Sequence, residues 1–321
     1  MKIVVVGGGT AGWLAALMIS KVKPENTVTV IESSKIGIIG AGEGSTGSLT
    51  NIIHNEMFDF GCNEQDFIKE CDATIKLGIK HIGWGPDKNK HYYGPIDGTP
   101  TSNDVVDLVF QHALGARDKE LLHLATELGY KIHHNKNSFV EPAGNHAYHF
   151  DAHKVGQYFK KICETVTHID SEVEHVILES DTGFVESVKL SNGNTVEGDM
   201  FIDASGFNQV LMKAVGGKWK SYKENLPVNS ALPFLLPYED DEVIQPVTNA
   251  WAQNNGWCWQ IPTKNRRGCG YVFSDEFVTP DQAHAELEQT IGRKVDPIRL
   301  LKFESGRQET LWIKNVLSIG L

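Results

Sequence analysis

The stretch "KIVVVGGGTAGWLAALMIS", residues 2–20, decides the fold. Lys2–Val6 is a run rich in β-branched residues, which fits a strand, and glycines follow at once at 7, 8, 9 and 12. An Ala- and Leu-rich segment to about Lys21 has helical texture, and Thr27–Ile31 is a second apolar strand closed by Glu32. Strand, glycine turn, helix and strand form a βαβ opening. In that setting Gly7 permits the tight turn, Gly9 lets the backbone approach a pyrophosphate, and Gly12 lets helix and strand pack closely. The N–H groups of the first helical turn then face the anion. Glu32 lies 20 residues beyond Gly12, where a carboxylate at a strand end can accept hydrogen bonds from ribose hydroxyls. The motif alone leaves NAD and FAD both open.

The bulk properties narrow the class. A chain of 321 residues with 40% hydrophobic and 22% charged content is enzyme-sized and globular. With 41 acids against 30 bases the formal charge is −11, which argues against nucleic acid as a partner. No apolar run approaches the roughly 18 residues of a membrane span. The N-terminal run enters a folding element directly and is too short for a secretory signal. Five cysteines (62, 71, 163, 258 and 269) form no CxxC pair and leave an odd one over, so a reduced, cytoplasmic compartment is expected.

Further along, "TIKLGIKHIGW" (74–84) alternates and reads as one strand, with Ile75, Leu77, Ile79 and His81 on one face and Lys76, Gly78 and Lys80 on the other. Asp104–Leu114 and Lys119–Leu128 read as helices, the latter with Gly129 as C-cap. Asp151 can cap a helix running to about Glu164. From Val173 the chain turns to short strands, with hairpin turns at "SDTG" (180–183) and Asn192-Gly193, and the meander feeds "GDMFIDASG" (198–206). A second β-rich region spans Val247 to Ser274, and Thr279-Pro280 starts a helix to about Ile291. No linker marks a clean boundary, so the sub-domains are expected to interleave. Within "NGWCWQIPT" (255–263), an extended chain places Trp257, Trp259 and Ile261 on one flat apolar wall, with Cys258 and Gln260 behind it.

"GDMFIDASG", a strand ending in Asp then Gly after a meander, resembles the second cofactor-contact motif of FAD-dependent monooxygenase-like proteins. "GWCWQIP" (256–262) resembles the WxWxIP signature of the flavin-dependent halogenases, the tryptophan-halogenase-like family. "IGAGEGST" (39–46), "ATIKLGIKHIGW" (73–84), "YHFDAHKVG" (148–156) and "KNVLSIG" (314–320) are similar to that family in the same order. The resemblance implies an α/β, Rossmann-like FAD-binding fold of the flavin monooxygenase type with an interleaved β-rich and helical substrate region. The expected division is 1–50 for the FAD-binding βαβ segment and 51–150 for the lysine strand and substrate-side helices. Residues 151–215 continue the FAD domain, 216–310 form the β-rich tunnel region, and 311–321 return to the FAD domain.

The resemblance also implies the chemistry. FADH2 from a separate flavin reductase, O2 and a halide (chloride, bromide or iodide) give hypohalous acid, which crosses a tunnel to a small aromatic substrate. Lys76 matches the catalytic lysine, which holds or activates the oxidant, with Lys80 as the control residue. By pattern alone both lysines read as solvated residues of one strand face. Expected cofactor contacts are Gly7, Gly9, Thr10, Ala11, Gly12, Glu32, Gly42, Glu43, Ser45, Thr46, Asp203 and Gly206. Trp257, Trp259, Ile261 and Pro262 are expected beside the tunnel, with Tyr92 and Tyr93 on the substrate side.

Two departures bear on function. The family's "YHPFG"-like segment, whose His and Phe sandwich an indole, reads "YYGPIDG" here (92–98), with Gly94 and Ile96 at the matching positions. An arene other than free tryptophan is therefore expected. The chain ends in "VLSIGL" where the family continues into a halide-contacting loop and a base glutamate, so a continuation past Leu321 is expected. His146, His149 and His153 are not expected to bind metal, "YEDDE" (238–242) reads as a solvated acidic loop, and Cys258 as an inert strand residue. A flavin monooxygenase that hydroxylates its substrate is the alternative enzyme reading. A non-catalytic flavin-binding protein is the third.

Overall fold

A computed structural model describes residues 1–37, 40, 43–94, 96, 146–240 and 242–321. The helices expected at 104–114 and 119–128 lie outside these residues, as does Gly42.

The opening run forms the centre of a six-stranded sheet. Its order is Trp312–Ile313, Val316–Ser318, Met200–Asp203, Lys2–Val6, Thr27–Glu32 and Thr167–Asp170. All neighbours are parallel except the first pair. Such a sheet must be covered on both faces, and the alternation in Lys2–Val6 sorts the two covers. Ile3 and Val5 face the helices Thr10–Val22 and Ala152–Ile162, burying Trp13, Leu17, Val155 and Phe159 with them. Val4 and Val6 face the antiparallel meander Val173–Leu178, Val185–Leu190 and Thr195–Glu197, and pack with Val188 and Phe201. This is the Rossmann-like α/β layer.

A second, seven-stranded sheet runs in the order Leu301–Lys302, Ser230–Pro237, Arg266–Phe273, Gly256–Pro262, Val247–Ala252, Gly78–Ile82 and His91–Gly94. Its covered face buries Phe234, Cys258, Tyr271 and Phe273 against Ala283 and Leu287 of the helix Pro280–Ile291. That helix begins at Thr279-Pro280 as its sequence predicts, and the structure adds a Thr279/Gln282 capping box.

A small three-stranded antiparallel sheet joins the two layers: Glu43–Gly44, Ala147–Phe150 and Thr74–Lys76. The expected single strand at 74–82 is therefore two. Thr74–Lys76 pairs with Ala147–Phe150, whereas Gly78–Ile82 pairs in parallel with Val247–Ala252 in the seven-stranded sheet. Between them the Leu77 N–H donates to the Pro246 carbonyl at 2.7 Å. Period-two alternation reports which side a residue faces, not which partner it pairs with. A change of sheet at Leu77 leaves the pattern intact. Burial breaks it, since residues 75–78 are buried without interruption.

Candidate functional site

The glycine loop is shaped by close contacts that leave no room for a side chain. Gly7 has φ +119°, and a methyl group there would lie 2.2 Å from the Ala204 carbonyl oxygen. A methyl on Gly12 would lie 1.9 Å from the Gly7 oxygen. The loop thus packs onto the end of "GDMFIDASG", which brings the two halves of the expected cofactor motif together. Gly9 precedes the helix in extended conformation and no side chain caps that end, so the first-turn N–H groups, Thr10 and Ala11 included, suit a phosphate.

Glu32 stands against this loop. Its Oε1 accepts from Lys160 Nζ at 3.0 Å and His168 Nε2 at 2.8 Å, and its Oε2 from Trp13 Nε1 at 3.3 Å. A carboxylate offers about four lone-pair positions, so capacity for a ribose hydroxyl remains. The carboxylate lies where a methyl on Gly8 would sit, 1.7 Å from Oε2. Gly8 is a requirement that motif matching missed, although three consecutive glycines carried the signal.

Asp203 serves the protein itself. Its Oδ1 accepts from the Ser205 N–H and hydroxyl at 3.1 and 2.5 Å, and its Oδ2 from the N–H groups of Leu211 and Met212, both at 2.8 Å. The buried carboxylate builds the turn through Gly206 (φ +63°) into the helix Val210–Ala214. Its bearing on a cofactor is through the shape of that turn.

The small sheet assembles the rest. Glu43 Oε2 accepts the first N–H of the helix Ala152–Ile162 at 3.1 Å. Ser45 is locked to Tyr148 in both directions: its N–H donates to the Tyr148 carbonyl at 2.8 Å, and its hydroxyl accepts the Tyr148 N–H at 3.0 Å. Thr46 is exposed and caps the helix Gly47–Ile53 through its backbone. Lys76 is 7% exposed. Its Nζ donates to the Ser45 carbonyl at 3.0 Å, passing over Gly44, where a methyl would lie 3.3 Å from the ammonium. Lys80 is half-buried in the other sheet, in register with Asn249 and Tyr93. The two lysines therefore do not share a face.

His149 was not singled out for this site by the sequence. It is fully buried, its Nε2 lies 2.9 Å from the Thr248 hydroxyl and its Nδ1 3.3 Å from the Thr74 hydroxyl. Burial first, and the Lys76 charge second, hold its imidazole well below the ordinary histidine range. It is a neutral neighbour of the lysine.

The tryptophan strand Gly256–Pro262 divides its faces as expected: Cys258 and Gln260 are buried, with Trp257 and Trp259 half-buried on the other side. The wall is not flat. The two indole rings lie 6.2 Å apart and are inclined by 60°, the edge-to-face arrangement that aromatic quadrupoles favour. Trp259 lies over Gly270, where a methyl would come within 2.1 Å of its ring. Burial pushes the Cys258 thiol up to about 12, which fits an inert strand residue. Ile261 and Pro262 are buried where this strand reaches the small sheet, and the Pro262 carbonyl accepts from the Thr74 hydroxyl at 2.5 Å, two residues before Lys76. Tyr92 and Tyr93 pair with His81 and Lys80 at the far edge. His146, His149 and His153 take separate stations: His149 beside Lys76, His153 against Gly40, and His146 beside Glu64.

Comparison with known proteins agrees with this geometry. A family model described as tryptophan halogenase matches residues 2–321. Tryptophan 7-halogenase RebH of Lentzea aerocolonigenes is 31% identical, over 99% of this chain and 64% of its own. Tryptophan 6-halogenase SttH of Streptomyces toxytricini superposes with a TM-score of 0.83 at 28% identity, over 99% of this chain and 67% of that one. Xcc4156, a flavin-dependent halogenase from Xanthomonas campestris, gives 0.82 at 29% identity, over 99% and 65%. The chain thus spans about 64% of the length of relatives such as RebH. Among the described residues no helix is long and apolar enough to cross a membrane.

Proposed function

The chain belongs to the tryptophan halogenase family, and from that premise we propose that it is part of a flavin-dependent halogenase of electron-rich arenes other than free tryptophan. When bound in reduced form, FAD supplies, with O2 and a halide, the oxidation that yields hypohalous acid. Gly7, Gly9, Gly12 and the N-terminus of the helix Thr10–Val22 hold the pyrophosphate, and Glu32 takes the ribose. The loop of Glu43, Ser45 and Thr46 borders the same region and joins it to Lys76. Trp257 and Trp259, with Ile261 and Pro262, keep a bulky arene away from the flavin. The reductant comes from a separate flavin reductase, and five buried cysteines, none in a disulfide, support a reducing cytoplasmic setting.

Lys76 acts on the oxidant. Its ammonium donates a hydrogen bond to the oxygen of the hypohalous acid, where negative charge grows as the oxygen–halogen bond breaks. The carbon–halogen bond forms, the oxygen takes the ammonium's proton and leaves as water, and the proton lost from the ring restores the ammonium. Neutral His149 suits this role, since a second cation alongside would compete for the same oxygen. Gly94 and Ile96, at the positions where the family's aromatic pair holds an indole, support a different arene. The observation that carries the reading is the burial of Lys76, with its Nζ on the backbone of the cofactor-side loop.

The test incubates the full-length protein with FAD, a reductase, O2, bromide or chloride, and a panel of phenols and indoles, and reads halogen isotope patterns by mass spectrometry. Halogenated product is expected, with Lys76→Ala abolishing it and Lys80→Ala retaining most of it. Hydroxylated product alone would favour a monooxygenase, and neither product a flavin-binding protein without catalysis. Equal losses in the two variants would remove Lys76 from its role.

A further inference from the structure

On the far side of the small sheet from Lys76's loop contacts, four side chains converge that the halogenation chemistry does not use. Glu64 is the first residue of the helix Glu64–Glu70, His54 follows the helix Gly47–Ile53, and His146 and Tyr148 belong to the segment entering the strand Ala147–Phe150. Their polar atoms gather around one carboxylate oxygen. Glu64 Oε1 lies 2.6 Å from the Tyr148 hydroxyl, 3.0 Å from His146 Nε2 and 3.2 Å from His54 Nε2. The Tyr148 hydroxyl is in turn 3.1 Å from His146 Nε2 and 3.4 Å from His54 Nε2.

Hydrogen bonding crowds this convergence. A carboxylate oxygen has two lone pairs, and here three donor-type groups meet one. The separations of Glu64 Oε1 from the two imidazole nitrogens, 3.0 and 3.2 Å, come close to the edge of a tetrahedral site, roughly 3.3 Å for bonds of about 2.0–2.1 Å, while the 2.6 Å contact of Tyr148 is a hydrogen bond. The ligand-type atoms of His54, Glu64 and His146 all lie within 4.8 Å of one another. We propose that His54, Glu64 and His146, with the Tyr148 hydroxyl adjoining, form a binding site for a single divalent transition-metal ion of the zinc class. Two imidazoles and a carboxylate select such an ion over calcium or magnesium, which prefer all-oxygen ligands.

The backbone holds the set in place. The Thr50 hydroxyl donates to the His146 carbonyl at 2.6 Å, tying the helix before His54 to the strand. Asn55, directly after His54, accepts from the Phe60 N–H and donates to the Cys62 carbonyl, both at 2.9 Å, closing the loop that leads to Glu64. Access is from one side, since the His54 side chain is 26% exposed and Glu64 15%, while His146 is at 0%. The site has a structural purpose in the fold. Tyr148 is the register partner of Ile75, so an ion here braces the strand against which Lys76 is laid.

This inference is independent of the halogenation reading and is tested without turnover. The full chain is stripped with chelator and titrated with Zn(II) alone by calorimetry, then with Co(II), whose visible spectrum reports tetrahedral nitrogen and oxygen ligation. One equivalent is expected to bind, with the Co(II) band present and thermal stability raised in its presence. His54→Ala and Glu64→Gln, each checked for folding by circular dichroism, are expected to weaken binding at least about 100-fold, given the larger part a direct ligand plays than an outer-shell one. Failure of the parent protein to bind either ion, or parent-like binding in both folded variants, overturns the site.

Discussion

Gly44 is the residue against which the position of Lys76 can be read most directly. It is exposed and extended, so alanine fits its backbone, yet a methyl there would lie 3.3 Å from the Lys76 ammonium and 3.5 Å from His149. Gly44→Ala is expected to leave folding and flavin affinity unchanged and to lower kcat about ten-fold, the effect of about 1.4 kcal/mol at the barrier. Steady-state kinetics beside a thermal melt decide it: a parent-like kcat means that the ammonium yields to the methyl without cost to the reaction. At this scale the sequence was legible only in part. Gly7, Gly9 and Gly12 could be derived from the demands of a turn and a helix start. Lys76 stood out solely through family resemblance, because alternation treats it and Lys80 alike. Gly8 and His149 were missed because the reason for each is a contact with a distant residue, Glu32 in one case and Thr248 in the other.

At the scale of elements, the strand–turn–helix of "GDMFIDASG" depends on one carboxylate. Asp203 accepts four hydrogen bonds from Ser205, Leu211 and Met212. An asparagine keeps one acceptor oxygen and turns its NH2 toward donors, on whichever side it is placed. Asp203→Asn is expected to destabilise the protein by about 1–3 kcal/mol, since the asparagine NH2, turned toward Ser205, leaves that N–H unpaired and the remaining oxygen carries no charge. It is also expected to weaken FAD binding, since Gly7 packs on the same turn through Ala204. Urea midpoints and a flavin titration measure the two effects; an unchanged midpoint would mean that the turn holds without the carboxylate. Most elements could be read from the sequence, as with the helix start at Thr279-Pro280 and the helix behind Asp151, because their signals are local. The break at Leu77 could not, because a strand that changes partners mid-course keeps its alternation.

For the whole molecule, the buried cysteines lie in two of the separate hydrophobic cores. Cys62, Cys71 and Cys163 belong to the core under the six-stranded sheet, and Cys258 and Cys269 to the core of the seven-stranded one. Among the described residues the layers are joined by the Thr74 hydroxyl on the Pro262 carbonyl, the Leu77 N–H on the Pro246 carbonyl, His149 on the Thr248 hydroxyl, the Lys264 N–H on the Asp72 carbonyl, and Arg266 on the Asp151 carboxylate, among other contacts. An alkaline challenge therefore reaches both cores through one chemistry. Burial, with Asp59 adding, pushes the Cys62 thiol up to about 11, burial pushes Cys163 and Cys258 up to about 12, and it raises Cys71 and Cys269 as well. In the unfolded chain a thiol ionises near 8.5. Above that pH the folded protein holds more protons than the unfolded one, so stability is complete below about 8.5 and falls as pH rises toward the folded values. By pH 10 the loss is of order 1–2 kcal/mol for a thiol whose folded value lies above that pH. The urea midpoint is expected to hold from pH 7 to about 8.5 and then to decline toward pH 10, before the folded thiols themselves ionise. Cys258→Ala, which creates only a small void in the seven-stranded layer, is expected to lose less stability between pH 8 and pH 10 than the parent by about 2 kcal/mol, that thiol's share. Midpoints that stay flat to pH 10, or identical losses in parent and variant, would show that the buried thiols do not control the alkaline limit.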